Sequence, residues 1–244
     1  MNTHHQPPCG PNPDHFPLLD NELDLLSELV PLAGQRIIEL GCGNARLARG
    51  LLERHADSEV VGLEVDAVQH AKNLSQPRER LQFLSASAEA VPFARQSFDG
   101  ALMLKSLHHV PIPAMDRALA EVARVLRPGG WFYVSEPVYG GALNEIVRLY
   151  NDEGVVRAAA QAALDRALVN GNQWEAVAER RFAQPVHYPD WPSFAQRMLY
   201  PSFADHQITP ELEARVRRAF EPHLGADGAR FVRPLHVRLL RRRR

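Results

Sequence analysis

Two glycines and two carboxylates are spaced as a ligand site would require. The run Ile37-Ile38-Glu39-Leu40-Gly41-Cys42-Gly43-Asn44 carries an apolar strand into a glycine turn, and helical periodicity starts at once afterwards. Gly41 can adopt backbone angles closed to other residues, and Gly43 lets a ligand approach the chain closely. The helix that follows presents unpaired N–H groups at its start. About twenty residues further on, Glu64 ends the next apolar run, where a carboxylate can accept two hydrogen bonds from a ribose diol. A dinucleotide fingerprint would need a third glycine where Arg46 stands, and that side chain would crowd a pyrophosphate. Glu39, just before the turn, repels a phosphate but suits an ammonium group. A nucleoside with a cationic amino-acid tail satisfies both facts.

A second group of residues could act on a substrate. His108 and His109 follow the fourth strand and precede Pro111; imidazole titrates near neutrality, so either could serve as general base, with helix-start packing as the structural alternative. Lys105, one of two lysines in the chain, could contact a substrate anion or be a solvated rim cation. Glu136, Tyr133 and Tyr139 stand at or beyond the fifth strand, where a substrate pocket should open, unless they pack. Trp174, Trp191 and Tyr200 read as core aromatics, and Cys42 as a small buried residue of the glycine loop. His4, His5, Cys9 and His15 fit no compact zinc spacing, so no metal is expected. The basic run Arg241–Arg244 reads as a solvated chain end.

These residues need a scaffold, and the pattern around them supplies one. Strand candidates at 36–40, 59–65, 81–85, 98–104 and 131–135 alternate with helical stretches near 47–52, 67–75 and 115–126, the mark of βαβ units and a parallel sheet. A short amphipathic helix is expected over 18–30, after a Pro-rich arm at 1–17. Residues 142–181 read as helix, too long for an ordinary crossover. A weak strand at 182–188, held to an edge by Pro185, and an alternating strand at 235–240 flank a helix opened by Thr209 and Pro210. The fold expected is α/β: a Rossmann-like, doubly wound, seven-stranded sheet, mostly parallel with an antiparallel last strand, plus a helical cap insertion. The divisions expected are an N-terminal arm and helix (1–34), a cofactor-binding core (35–141), the cap (142–181) and the rest of the sheet (182–244).

Composition narrows the function classes. With 244 residues, 45% hydrophobic and 23% charged, the chain is ordinary globular material, which excludes disordered, collagen-like and coiled-coil classes. A net charge of −1 gives no global attraction to nucleic acid or anionic membrane. Two cysteines make no disulfide framework. No apolar run approaches the roughly 20 residues of a membrane span, and no signal peptide is visible, so a cytoplasmic protein is expected.

Four motifs in order, IIELGCGNARLARGL, VVGLEVD, ASAEAVPFARQSFDGALMLKSLHHVP and EVARVLRPGGWFYVSEP, resemble the class I S-adenosylmethionine-dependent methyltransferases of methyltransferase type 11. Within that family the chain is similar to the small-molecule enzymes of ubiquinone and menaquinone biosynthesis, over residues 35–137. The resemblance implies S-adenosyl-L-methionine as cofactor, the nucleoside with a cationic tail inferred above. It implies that Glu39, Gly41, Cys42 and Gly43 surround the methionine part, that Glu64 holds the ribose, and that Ser87, Ala88 and Glu89 read the adenine. It places Lys105 at the cofactor's amino end and at the substrate. Three positions depart from the family pattern: Ala45 and Ser87 replace a usual glycine and aspartate, and Lys105 a small polar residue. The expected activity is methyl transfer to a small O, N or C nucleophile. Alternatives are a non-catalytic cofactor-binding protein, a nucleic-acid (tRNA) methyltransferase and an NAD(P)-dependent oxidoreductase.

Overall fold

The apolar run at 36–40 forms β1 (Arg36–Leu40), which lies between two parallel neighbours, β2 (Glu59–Leu63) and β4 (Phe98–Leu104). The structure is a computed structural model that describes residues 15–170, 172–202 and 204–244. β3 (Leu81–Leu84) pairs beyond β2, and β5 (Leu126–Pro137) beyond β4, both parallel. The sheet is completed by β8 (Gly228–Arg242), antiparallel to β5, and by the edge strand β6 (Trp174–Tyr188), antiparallel to β8. The order is β3-β2-β1-β4-β5-β8-β6, with the two-residue β7 (Leu224–Gly225) pairing only with β8. This is the expected Rossmann-like α/β sheet, mostly parallel with an antiparallel last long strand. The chain leaves β1 toward one edge and returns at β4 toward the other, so the carboxyl ends of β1 and β4 flank a switch point, where such sheets bind ligands.

Helices cover both faces because each carries an apolar stripe. On one face α1 (Glu22–Leu29) and α2 (Arg46–Arg54) bury Leu23, Leu26, Leu51 and Leu52 against Ile37, Leu102 and Tyr133. α1 begins at Glu22 because the Asn21 side chain caps it, accepting from the Leu23 amide at 3.1 Å. On the other face α4 (Met115–Val125) and α6 (Gly154–Asn170) share a core with Phe98, Phe132 and Trp174. α3 (Ala67–Leu74) flanks β2 and β3. A third apolar cluster lies beyond the ends of β5, β6 and β8, built by α5 (Ala142–Val147), α7 (Trp191–Phe194) and α8 (Pro210–Phe220). Phe194, Phe220 and Tyr188 are fully buried there, each worth roughly 1.5–3 kcal/mol of burial, which gives this lobe a core of its own.

Three expectations are corrected. The helix expected through 142–181 is interrupted: α6 ends at Asn170, and residues from Trp174 onward are strand. The weak edge strand expected at 182–188 is the second half of β6; its first half, 174–181, hides from the sequence because it is largely exposed and shows no clean alternation. α6 itself packs Ala160, Ala163 and Leu164 into the sheet core as a crossover helix, while the covering lobe comes from α5 and from residues 191–223. The basic C-terminal run is solvated as expected at Arg241, Arg243 and Arg244, but it is strand through Arg242, which donates to the Leu126 carbonyl. His4, His5, Cys9 and most of the Pro-rich arm lie outside the described residues; Pro17 and Leu19 bond to Ala183 on the β6 edge. Among the described residues, no helix is long and apolar enough to cross a membrane.

Candidate active site

The glycine turn forms the first wall. Gly41 has φ +71°, and a Cβ there would lie 2.8 Å from Ser106 Cβ, so both conformation and space demand glycine. Gly43 has φ +51° and open space on its Cβ side, the room a ligand needs to approach the backbone. Ala45 takes the left-handed cap position of α2 at φ 54°, a place where glycine would be relaxed. Cys42 turns away: its thiol is buried against Gly62, and its amide donates to Leu63 O, so its side chain does not face the crevice. Burial raises the thiol pKa far above its usual range.

Glu64 faces the turn. One carboxylate oxygen accepts from the Gly43 amide at 2.8 Å and the other from the Asp66 amide at 2.9 Å. Each oxygen retains a further lone pair for a ligand hydroxyl. Asp66, the neighbouring carboxylate, is used as the N-cap of α3 and accepts from Ser202 Oγ at 2.7 Å. Ser87, Ala88 and Glu89 follow β3, whose last carbonyl, on Leu84, accepts from the Glu64 amide at 3.0 Å. The segment expected at the adenine therefore starts three residues beyond a carbonyl bonded to the residue expected at the ribose.

Glu39 lies inside the other wall. It is 2% exposed, and its Oε2 has no hydrogen-bond partner among the described residues. Burial raises its pKa to about 8, with Lys105 opposing and Glu22 and Glu64 adding to the rise. Lys105, at φ +58° beyond β4, reaches across the crevice to Glu22 Oε2 at 3.0 Å. Tyr133 donates to the other Glu22 oxygen at 3.3 Å. Glu22 was not singled out from the sequence, although an acid one turn before Leu26 on a buried stripe was a visible signal.

His108 sits on the short turn Leu107–His109 after β4 and is buried. Its Nδ1 bonds to Glu136 Oε2, and its Nε2 lies 3.9 Å from Glu153 Oε2. Glu136 Oε1 accepts from the Leu107 amide at 2.8 Å. With both oxygens engaged at 1% exposure, Glu136 does not reach a substrate; it orients His108. Tyr139 is likewise turned aside, donating to Asp152 Oδ1 at 2.8 Å. His109 stacks obliquely on His108, with ring centroids 4.1 Å apart; desolvation and then the His108 charge hold its imidazole below the usual range. His108, His109 and Glu153 bring ligand atoms within 4.8 Å of one another, but Glu153 is already held by Arg157 at 2.6 Å, a cation that competes with any metal there. His15, the one described member of the N-terminal set, is exposed. Trp174 and Trp191 are packing residues, against Phe132 and Phe194 respectively, and Tyr200 donates to Glu213 at the surface.

Lys105, His108, His109 and Glu153 line a cavity of ≈ 200 Å³ between the carboxyl ends of β4 and β5 and the outer lobe. The arrangement thus offers an acidic crevice with a carboxylate-flanked glycine turn, and beside it a cavity with an oriented imidazole.

The chain is similar to known proteins over the part that carries this site. Residues 38–134 match the family model described as a methyltransferase domain. An O-methyltransferase of Pyrenophora dematioidea is 32% identical over 123 residues, 48% of this chain and 44% of that protein. A fatty-acid O-methyltransferase of Mycolicibacterium smegmatis is 34% identical over 106 residues, 42% of this chain and 37% of that one. The chain spans less than half the length of these relatives. Among solved structures, the [4+2]-cyclase SpnF matches with a TM-score of 0.58 at 21% identity, over 91% of this chain and 80% of that chain. That last likeness is one of fold.

Proposed function

We propose, from the premise that residues 38–134 are a class I S-adenosylmethionine-dependent methyltransferase domain, that this chain binds S-adenosyl-L-methionine and methylates a small-molecule nucleophile. The observation that carries the reading is the orphaned Glu39 Oε2, buried beside the Gly41 turn and next to Glu22, Glu64 and Lys105. An unpartnered buried carboxyl oxygen is costly unless a donor arrives, and the ammonium of the cofactor's amino-acid tail is such a donor. Glu64 would hold the ribose hydroxyls, Gly43 would leave room for the backbone approach, and the 87–89 segment would meet the adenine.

When bound, the cofactor supplies a methyl group activated by its sulfonium. What remains for the protein is orientation, water exclusion and proton management. Glu136 accepts from His108 Nδ1–H, which leaves Nε2 on the side shared with Glu153 in the cavity wall. Nε2 can take the proton of an incoming hydroxyl, and Glu153 stabilises the imidazolium that forms. An oxygen acceptor is therefore the form of the reaction that uses these residues best, and the names of the two relatives point the same way. The outer lobe forms one wall of the cavity. The reading includes a cytoplasmic setting, in keeping with a buried free thiol at Cys42.

Isothermal titration calorimetry with S-adenosylhomocysteine and with NADH decides the cofactor. Saturable binding of S-adenosylhomocysteine, weakened by Glu64→Ala, is expected; binding of NADH alone would overturn the proposal in favour of an oxidoreductase.

A further inference from the structure

We propose that Arg233, with Tyr150 and Asn144, forms a carboxylate-binding subsite in the cavity, so that the acceptor is a small organic acid. The inference rests on the methyl-transfer reading only for the word acceptor; the anion site stands on the cavity itself.

The cavity wall holds four cations, Lys105, Arg157, Arg197 and Arg233, against one carboxylate, Glu153. Three of the cations have partners. Lys105 is paired with Glu22, and Arg157 with Glu153 through two guanidinium nitrogens, at 2.6 and 3.1 Å. Arg197 donates to His187 O at 3.2 Å and stacks over the Tyr188 ring at 4.7 Å. Arg233 is different. Among the described residues its guanidinium makes no hydrogen bond and no ion pair. Glu153, the carboxylate that acts on it, is already committed to Arg157 and Asn151.

An unpaired guanidinium in a half-dry wall is an expensive arrangement. Desolvation holds the Arg233 pKa below the ordinary arginine range, with Arg157 and Arg197 acting in the same direction. Two neutral donors in the same wall also lack partners among the described residues: Asn144 Nδ2 and Tyr150 Oη, both buried. Asn144 cannot turn its amide round to solve this, because its Oδ1 accepts from Arg157 Nη1 at 3.0 Å. A half-buried guanidinium with no protein partner among the described residues, beside a buried amide N–H and a buried phenol O–H that also lack one, suits one kind of guest, an anion with several acceptor oxygens. A carboxylate matches the planar fork of arginine. The cavity lies below the ~300–1,000 Å³ common for drug-sized ligands, so the acid is small, or presents a small acidic end.

The register explains how Arg233 comes to be there. It sits on β8 opposite Gln184, one residue before Pro234, which stands against Ala183. The strand runs antiparallel to β5, so its early residues meet the carboxyl end of β5 beside the His108 turn. The subsite and the imidazole thus open on one cavity from different strands, and an acid anchored at Arg233 would present its other end toward His108.

The test is calorimetric titration of the full chain, with S-adenosylhomocysteine saturating, using acetate, benzoate and 4-hydroxybenzoate against acetamide, benzamide and 4-hydroxybenzamide. At least one acid should bind about tenfold more tightly than its amide. Arg233→Met should abolish that preference, Arg233→Lys should retain part of it, and Tyr150→Phe should weaken the acid by about threefold to tenfold while leaving the amide unchanged. If none of the three acids outbinds its amide, or if the preference survives Arg233→Met in a variant whose melting curve matches the parent, the subsite does not exist. Tyr150→Phe removes a single hydroxyl and keeps the question open to measurement if Arg233→Met does not fold. Failure of S-adenosylhomocysteine to bind, with the acid preference intact, removes the methyl-transfer reading and leaves the anion site standing.

Discussion

Lys105 Nζ and Glu22 Oε2 lie 3.0 Å apart although 83 residues separate them in the chain. The pair joins the end of β4 to the first turn of α1, over the crevice where a cationic amino-acid tail would lie. It also removes a conflict. A bare ammonium at Lys105 would repel a sulfonium ligand, whereas a neutralised one leaves Glu39 and Glu64 to set the local charge.

Glu22→Gln should expose that conflict. The variant leaves Lys105 partly buried without its counter-charge, so stability should fall by about 1–3 kcal/mol and affinity for S-adenosylhomocysteine by about tenfold. Adding Lys105→Met should restore much of both, because the uncompensated charge is then gone. A double-mutant cycle with no coupling between the two positions would show that the contact is incidental.

Glu39 should make the free protein sensitive to pH. Its pKa rises from 4.5 to about 8 on folding, so between those values the folded state holds more proton than the unfolded one. The sign follows: its contribution to stability is full below pH 4.5 and is lost as pH rises toward 8, by at most about 1.4 kcal/mol per pH unit. Glu39→Gln should flatten this slope in urea melts between pH 5 and 8, and stabilise the free protein at pH 8. The parent should bind S-adenosylhomocysteine more tightly as pH rises toward 8 and Glu39 ionises; the same variant should weaken that binding and abolish the pH dependence. An unchanged slope in the variant would refute the assignment.

His108 and Glu136 should separate kinetically. With an acceptor in hand, His108→Ala should lower kcat by about 10²–10⁴ if it moves the proton. Glu136→Gln keeps the shape but not the charge; it should lower kcat less, shift the acidic limb of the kcat–pH profile downward and leave KM little changed. Equal losses in kcat/KM at all pH values, accompanied by a lower Tm, would mean that Glu136 is merely structural.

The two glycines of the turn should fail for different reasons. Gly41→Ala meets Ser106 Cβ and a left-handed backbone at once, so it should lose about 1–3 kcal/mol of stability. Gly43→Ala meets no neighbour and should cost only about 1–2 kcal/mol for its positive φ, yet it should reduce S-adenosylhomocysteine affinity by at least about tenfold. Thermal melts alongside calorimetry separate the two effects. Normal affinity in Gly43→Ala would remove the close approach from the reading.

Local order was written in the chain. The strand Arg36–Leu40, the turn at Gly41 and Gly43, the Thr209 helix cap and the apolar strand ends all follow from neighbours a few residues apart, because propensity, capping and glycine freedom act over one turn or one strand. They sufficed to indicate the sheet and to place Glu39 and Glu64 at its switch point. The first half of β6, 174–181, was obscured because an exposed edge strand carries no alternation to read. The fate of each charge was decided by tertiary structure alone. Nothing near Glu136 in sequence says that it faces His108, nothing near Lys105 that it finds Glu22, and nothing near Arg233 that it lacks a partner among the described residues. Those outcomes depend on which distant elements pack together at a few ångströms, where desolvation and Coulomb energy are steep, and one-dimensional spacing contains no such distances.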